Sequence, residues 1–245
     1  MIDYGFGVDI GKVREKNEDA ANIVKNNYGD IFMIVLDGMG GHNQGDFASL
    51  QAMNFICKSF ESKENFSNNF SAKFWMKNVL KKANKYLNDY AKIDSSSKGM
   101  GTTLASFLLH DNRTIMSYIG DTRAYIIKEN IIKQVSEDET YVQFLYEAGK
   151  IKKEEMATHP SRHVVTNALG CYKSVIINVK EIKEDYDYLL LCSDGLYNMV
   201  NEEDISNIIR NGTSVKSSID ELISLANKNG GVDNIAICIY KKGDR

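Results

Sequence analysis

The chain has 245 residues, 43% of them hydrophobic, which is enough for one large domain with a sizeable core. Its net charge is −3, from 30 Lys and Arg against 33 Asp and Glu, and the basic residues are spread rather than gathered, which argues against nucleic acid as a partner. Cys57, Cys171, Cys192 and Cys238 have no C-x-x-C spacing, the N-terminal residues do not read as a signal peptide, and no apolar run nears the ~20 residues of a membrane span, so a cytoplasmic chain without membrane attachment is expected.

Ile2 to Ile10 alternates and predicts a strand, and Ala20 to Lys25 predicts a second. The apolar run Phe32 to Leu36 predicts a buried strand; it ends in Asp37, then Gly38, Gly40 and Gly41, which would let the backbone turn sharply behind the carboxylate. Gly45 to Phe60, with Phe47, Leu50, Met53 and Ile56-Cys57, predicts a helix. Phe70 to Ile93 predicts a longer one, with Trp75, Val79, Ala83, Tyr86, Tyr90 and Ile93 as its core stripe. After a polar loop at 94–99, the runs Leu104 to Leu109, Thr114 to Ile119, Arg123 to Ile127 and Ile131 to Val135 predict an antiparallel meander. Glu139 to Gly149 and Lys152 to Thr158 read as short helices, Val175 to Ile182 and Tyr188 to Ser193 as strands. Glu202 to Arg210 (opened by Asn201 as a cap) and Ser217 to Lys228 read as helices, and Ile235 to Tyr240 as the final strand. Strands at both ends with paired helices between them favour an α+β chain in which two mostly antiparallel sheets pack face to face under flanking helices.

Acidic residues recur at the edges of these strands: Glu18 and Asp19, Asp37, Asp121, Asp194 and Asp233. For any one Asp-Gly pair a simple turn is the commoner explanation; the recurrence points to one shared polar site. Gathered carboxylates repel one another unless cations join them, and oxygen donors without His or Cys suit hard ions such as magnesium or manganese. Two such ions bridged by one carboxylate suit phosphoryl transfer to water, and Arg14 has the guanidinium geometry for phosphate oxygens.

At this point the sequence resembles the bacterial metal-dependent (PPM, type 2C) protein Ser/Thr phosphatases. The resemblance rests on Gly11-x-x-Arg14-x-x-Asn17-Glu18-Asp19, Asp37-Gly38-Met39-Gly40-Gly41-His42, Gly101-Thr102-Thr103, Gly120-Asp121-Thr122-Arg123, His159-Pro160-x-Arg162, Ser193-Asp194-Gly195-Leu196 and Asp233-Asn234, in family order. It implies a four-layer αββα sandwich forming one catalytic domain over 1–245, with a flap subdomain at about 136–170. It implies two to three divalent cations, Mn2+ or Mg2+. Asp37 would bridge two of them, with Glu18 and the Gly38 carbonyl on one and Asp194 and Asp233 on the other, while Asp121 and Asp194 would hold the third. Asp19 and Asn234 would stand behind these ligands, and Arg14 would receive the substrate phosphate. The implied activity is hydrolysis of phosphoserine and phosphothreonine on proteins by a hydroxide bridging the ions, opposing a cytosolic Ser/Thr kinase, in a monomer. The alternative is a metal-binding scaffold without turnover. Met39 stands where eukaryotic members place a His after the Asp-Gly pair, so the proton for the leaving group would come from His42 or from water on the ion at Asp121 and Asp194, the latter being expected. The segment opening Ser136-Glu137-Asp138-Glu139-Thr140 also departs from the family's Thr-x-Asp-His-Ser, so no substrate preference carries over.

Overall fold

A computed structural model of the chain describes residues 3–40, 44–94 and 97–243. Eleven strands are present among them: β1 (Asp3–Asp9), β2 (Asp19–Lys25), β3 (Ile31–Met39), β4 (Gly101–Thr102), β5 (Leu104–His110), β6 (Arg113–Ile119), β7 (Arg123–Lys128), β8 (Ile131–Gln134), β9 (Asn178–Ile182), β10 (Tyr188–Cys192) and β11 (Ile235–Lys241). The helices are α1 (Gly45–Glu61), α2 (Asn69–Ile93), α3 (Tyr141–Glu147), α4 (Lys153–Met156), α5 (Asp194–Tyr197), α6 (Glu202–Asn211) and α7 (Val215–Lys228). One sheet runs β1-β11-β10-β7-β8 and the other β2-β3-β5-β6-β9, with β4 added to the end of β3, and the strand pairs are antiparallel.

The continuous apolar run of β3 follows from its place at the centre of the stack. Successive side chains of a strand point to opposite faces. Phe32, Ile34 and Leu36 face α1 and α2 in one core, whereas Met33 and Val35 face the other sheet in a second core with Phe107, Leu189, Leu191 and Cys238. A third core lies outside the first sheet, where Leu190, Ile237 and Ile239 meet Ile205, Ile209, Ile219 and Leu222 of α6 and α7. Three cores between four layers give the αββα sandwich that the sequence implies.

The long helices are present, and of the expected stripes Ile56, Cys57, Val79 and Ala83 are buried, but the buried faces are shifted from the expected ones. On α1 the stripe is Ala48, Ala52, Ile56 and Phe60, while Leu50 is 47% exposed. On α2 it is Ala72, Met76, Val79, Leu80, Ala83 and Leu87, while Ile93 is 87% exposed. The aromatic residues instead join the two helices to each other: Phe47 meets Tyr90 with ring centroids 4.4 Å apart, and Phe55 stacks on Tyr86 at 5.5 Å. Small residues on α1 let it lie close to β2 and β3, while α2 lies over β6 and β9, and the rings close the outer seam. Asn201 caps α6 as expected, its side chain accepting the Asp204 N–H at 2.9 Å.

The chain does not turn at Gly38, and Gly41 lies outside the described residues. β3 continues through Gly38 and Met39, which pair with Thr102 and Gly101 of β4. Glycine is needed at 38 for close approach, since a Cβ there would stand 2.5 Å from the Glu18 carbonyl oxygen. The 136–170 segment leaves after β8, carries α3 and α4, and returns through bridges of Thr140 with Val165 and Thr102 with Leu169. No helix among the described residues is long and apolar enough to cross a membrane.

Candidate active site

The acids meet at one end of the sandwich because the two sheets deliver them from opposite sides. In the β2–β3 register Asp19 lies directly across from Asp37. Like charges opposite one another on a strand pair destabilise the sheet, so this placement serves something other than folding. Asp121 lies in the turn between β6 and β7, made by Gly120 at φ +87°, and is 8% exposed. Asp194 opens α5 directly after β10, and Asp233 lies two residues before β11.

Their mutual repulsion is visible in their proton affinities. Burial holds the Asp37 carboxyl well above the usual carboxylate range, and the charges of Asp19, Asp194, Asp121 and Asp233 push it further. Burial and the charge of Asp194 push Asp121 up to about 7, and burial with the charge of Asp233 takes Asp194 to about 6. Asp19 is raised well above its ordinary value by burial, although its carboxylate accepts the Ser193 hydroxyl at 2.5 Å. Glu18 is raised by burial and eased by the N–H of Gly45, so its carboxylate sits at the positive end of α1, whose cap residue Gln44 makes no side-chain capping bond.

Arg14 does not wait free for a ligand. Its Nη2 donates to Asp233 Oδ2 at 2.8 Å with half of the side chain exposed, and that bond raises the guanidinium's proton affinity. Asn234 is buried and holds the loop that carries Arg14 and Glu18. Its Oδ1 accepts the Glu18 N–H at 2.8 Å, and its amide donates to the Ile10 and Lys16 carbonyls at 2.9 Å each. Thr103 N–H and Thr102 hydroxyl both donate to the Asp37 carbonyl, at 2.9 and 3.0 Å, fixing the strand end that carries the carboxylate. His42 lies outside the described residues.

Among the described residues no three carboxylate, imidazole or thiol groups already close on a single point. The chemistry of the set nevertheless fits hard divalent cations. It is oxygen-only, it carries more negative charge than Arg14 and Arg123 offset, and its proton affinities are raised by neighbouring acids.

Several positioning groups are assigned no role from the sequence, although Ser193 and Arg123 stand within motifs that carry the resemblance. Ser193 bonds Asp19 and accepts the Ala236 N–H at 2.8 Å, tying Asp19 to β11. Tyr197, on α5, donates its hydroxyl to the Asp121 carbonyl at 3.1 Å. Arg123 lies over the Tyr197 ring, 3.6 Å from its centroid, and grips Asp138.

The arrangement matches known proteins over its whole extent. The family model for protein phosphatase 2C matches residues 11–236. The serine/threonine phosphatase stp of Listeria welshimeri is 32% identical over 238 residues, covering 97% of this chain and 94% of that protein. The protein phosphatase PhpP of Streptococcus pneumoniae is 32% identical over 237 residues, 96% of each chain. The crystal structure of the serine/threonine phosphatase Stp1 from Staphylococcus aureus superposes with a TM-score of 0.91 at 34% identity, covering 100% of this chain and 96% of that one. With the motifs in order, the sandwich and the acid cluster in place, the chain belongs to the protein phosphatase 2C family.

Proposed function

We propose that the chain is a metal-dependent phosphatase that removes phosphate from phosphoserine and phosphothreonine of proteins. The observation that carries this reading is the Asp37 carboxylate at the end of a central strand, set across from Asp19 and raised by burial and by the charges of Asp19, Asp194, Asp121 and Asp233. Relatives that share nearly the chain's full length are named serine/threonine phosphatase in Listeria and protein phosphatase in Streptococcus pneumoniae, which supports turnover over a scaffold role.

Asp37 would be shared between two divalent cations, with Glu18 and the Gly38 carbonyl completing one and Asp194 and Asp233 the other; Asp121 with Asp194 would hold a third, either Mn2+ or Mg2+. Cations so held polarise a phosphoryl group and acidify water at neutral pH. Arg14 presents a planar, permanently charged guanidinium to the phosphate dianion, and Asp233 aims it by the 2.8 Å bond. Asn234 keeps Arg14 and Glu18 in register by bonding the loop between them. The 136–170 segment acts as the flap against which the protein substrate lies. The partners are phosphorylated proteins and a Ser/Thr kinase that the enzyme opposes. Four free cysteines, three of them buried, suit a reducing cytoplasm, and the enzyme works as a monomer.

The test is phosphate release from a phosphothreonine peptide after treatment with a chelator, then after adding Mn2+. Release should vanish and return. Full release in excess chelator would overturn the reading.

A further inference from the structure

The turn that carries Asp121 is clamped from both sides by two consecutive residues at the root of the 136–170 segment. Glu139 Oε2 accepts the Gly120 N–H and the Asn167 amide, each at 2.7 Å, and its Oε1 accepts the Asn178 amide at 2.8 Å. The Glu139 backbone repeats the link: its N–H donates to the Gly120 carbonyl at 3.0 Å, and its carbonyl accepts the Thr166 N–H and hydroxyl at 2.8 Å each. Asp138 takes the far side, receiving three bonds from Arg123 at 3.0, 3.1 and 2.7 Å.

A carboxylate that faces three N–H donors must be acceptor-only, and both of its oxygens are in use. One links the residue before Asp121 to Asn167, where the segment returns; the other reaches β9. The place of Asp121 and the course of the segment are therefore set by the same side chain.

We propose that Glu139 is a positioning residue that couples the 136–170 segment to Asp121, so that divalent-cation binding at Asp121 and engagement of a phosphopeptide along the segment are linked. The phosphopeptide half of this rests on the phosphatase reading; the cation half does not. Linkage is reciprocal, so a cation at Asp121 must also steady the segment.

The experiment uses the full chain, stripped with a chelator, as wild type, Glu139→Gln and Glu139→Ala, with Glu137→Ala as a neighbouring exposed control. Glutamine keeps the size but turns an NH2 group toward a donor, so both Glu139 variants should weaken the weakest Mn2+ site about tenfold in calorimetry, as removal of a group behind a ligand typically does. In the wild type, saturating Mn2+ should slow hydrogen exchange across Tyr141–Glu147, and in Glu139→Gln that added protection should disappear. The phosphopeptide KM should rise with it, while Glu137→Ala behaves as wild type. In an Asp121→Asn background Glu139→Gln should change Mn2+ affinity no further. If Glu139→Ala does not fold, Asn167→Ala removes one partner and should move the same readouts less. A folded Glu139→Gln with unchanged Mn2+ affinity and unchanged segment protection, whatever its Tm, would reduce Glu139 to a structural bond and overturn the proposal. Absence of phosphopeptide turnover in the wild type would strike the phosphatase reading and leave the Mn2+ and exchange arms to decide this one.

Discussion

The Asp121 carboxyl is a load on the fold that a single substitution should lift. Burial and its acidic neighbours raise it from 3.8 to about 7, which at about 1.4 kcal/mol per pH unit is worth about 4 kcal/mol. The unfolded chain gives up this proton near its ordinary value, whereas the folded chain holds it. The associated stability is therefore whole below pH 3.8 and lost as pH rises through about 7. Asn at 121 carries no charge at any pH. In excess chelator at pH 8, Asp121→Asn should melt higher than the wild type by on the order of 10 °C for a chain of this size. At pH 4 the two should melt together. Saturating Mn2+ should reverse the order at pH 8, because the carboxylate then gains a cation that the amide holds poorly. Thermal unfolding in four conditions, two pH values with chelator or Mn2+, reads all of this. Equal melting at pH 8 in chelator, or the same gain at pH 4, would refute the account of a site held together against its own charge.

Arg14→Ala should raise the phosphopeptide KM roughly tenfold with little change in kcat, since a guanidinium that meets the substrate phosphate before reaction contributes to binding; steady-state kinetics would refute this by showing only kcat reduced. A serine or threonine alkoxide needs a proton as it leaves and a nitrophenolate does not. Asp121→Ala should therefore slow phosphopeptide hydrolysis at least about tenfold more than p-nitrophenyl phosphate hydrolysis, with a smaller contrast for His42→Ala; equal losses on both substrates would remove Asp121 from proton delivery. Gly38→Ala should destabilise by about 1–3 kcal/mol through overpacking against the Glu18 carbonyl, and an unchanged denaturant midpoint would show that β3 can shift.

The architecture was legible because its signals are local. The β3 run, the capping Asn201 and the alternation of the meander each carry their structural meaning within a few residues. The acids were legible through recurrence at strand ends, and their order through the family resemblance. Misreadings occurred where tertiary contacts decide. Leu50 and Ile93 have the right spacing for a core stripe, but Ala48, Ala52, Ala72 and Met76 are buried in their place, because the face each helix turns to the sheet is set by packing and not by spacing alone. The glycines after Asp37 suggested a turn, yet Gly38 extends β3 and makes room for a neighbouring carbonyl. Glu139 was unreadable because its partners are Gly120, Asn167 and Asn178, and nothing nearby in the chain marks them. Asp194 stands at the end of β10 as expected, but the short α5 that it begins, which presents Tyr197 to the Asp121 turn, was not foreseen.

Among the described residues β1 has one strand partner, β11, with Asp3 opposite Lys241 and Asp9 opposite Ile235. These two strands lie far apart in the chain, so pairing them closes a long loop at a cost in entropy. Glu18, Asp19 and Asp37 lie on or beside β2 and β3 of one sheet, but the other wall of the site forms only when β11 slots between β1 and β10. The site is therefore completed by a pairing of very long sequence range, so in refolding it should form with that pairing rather than before it.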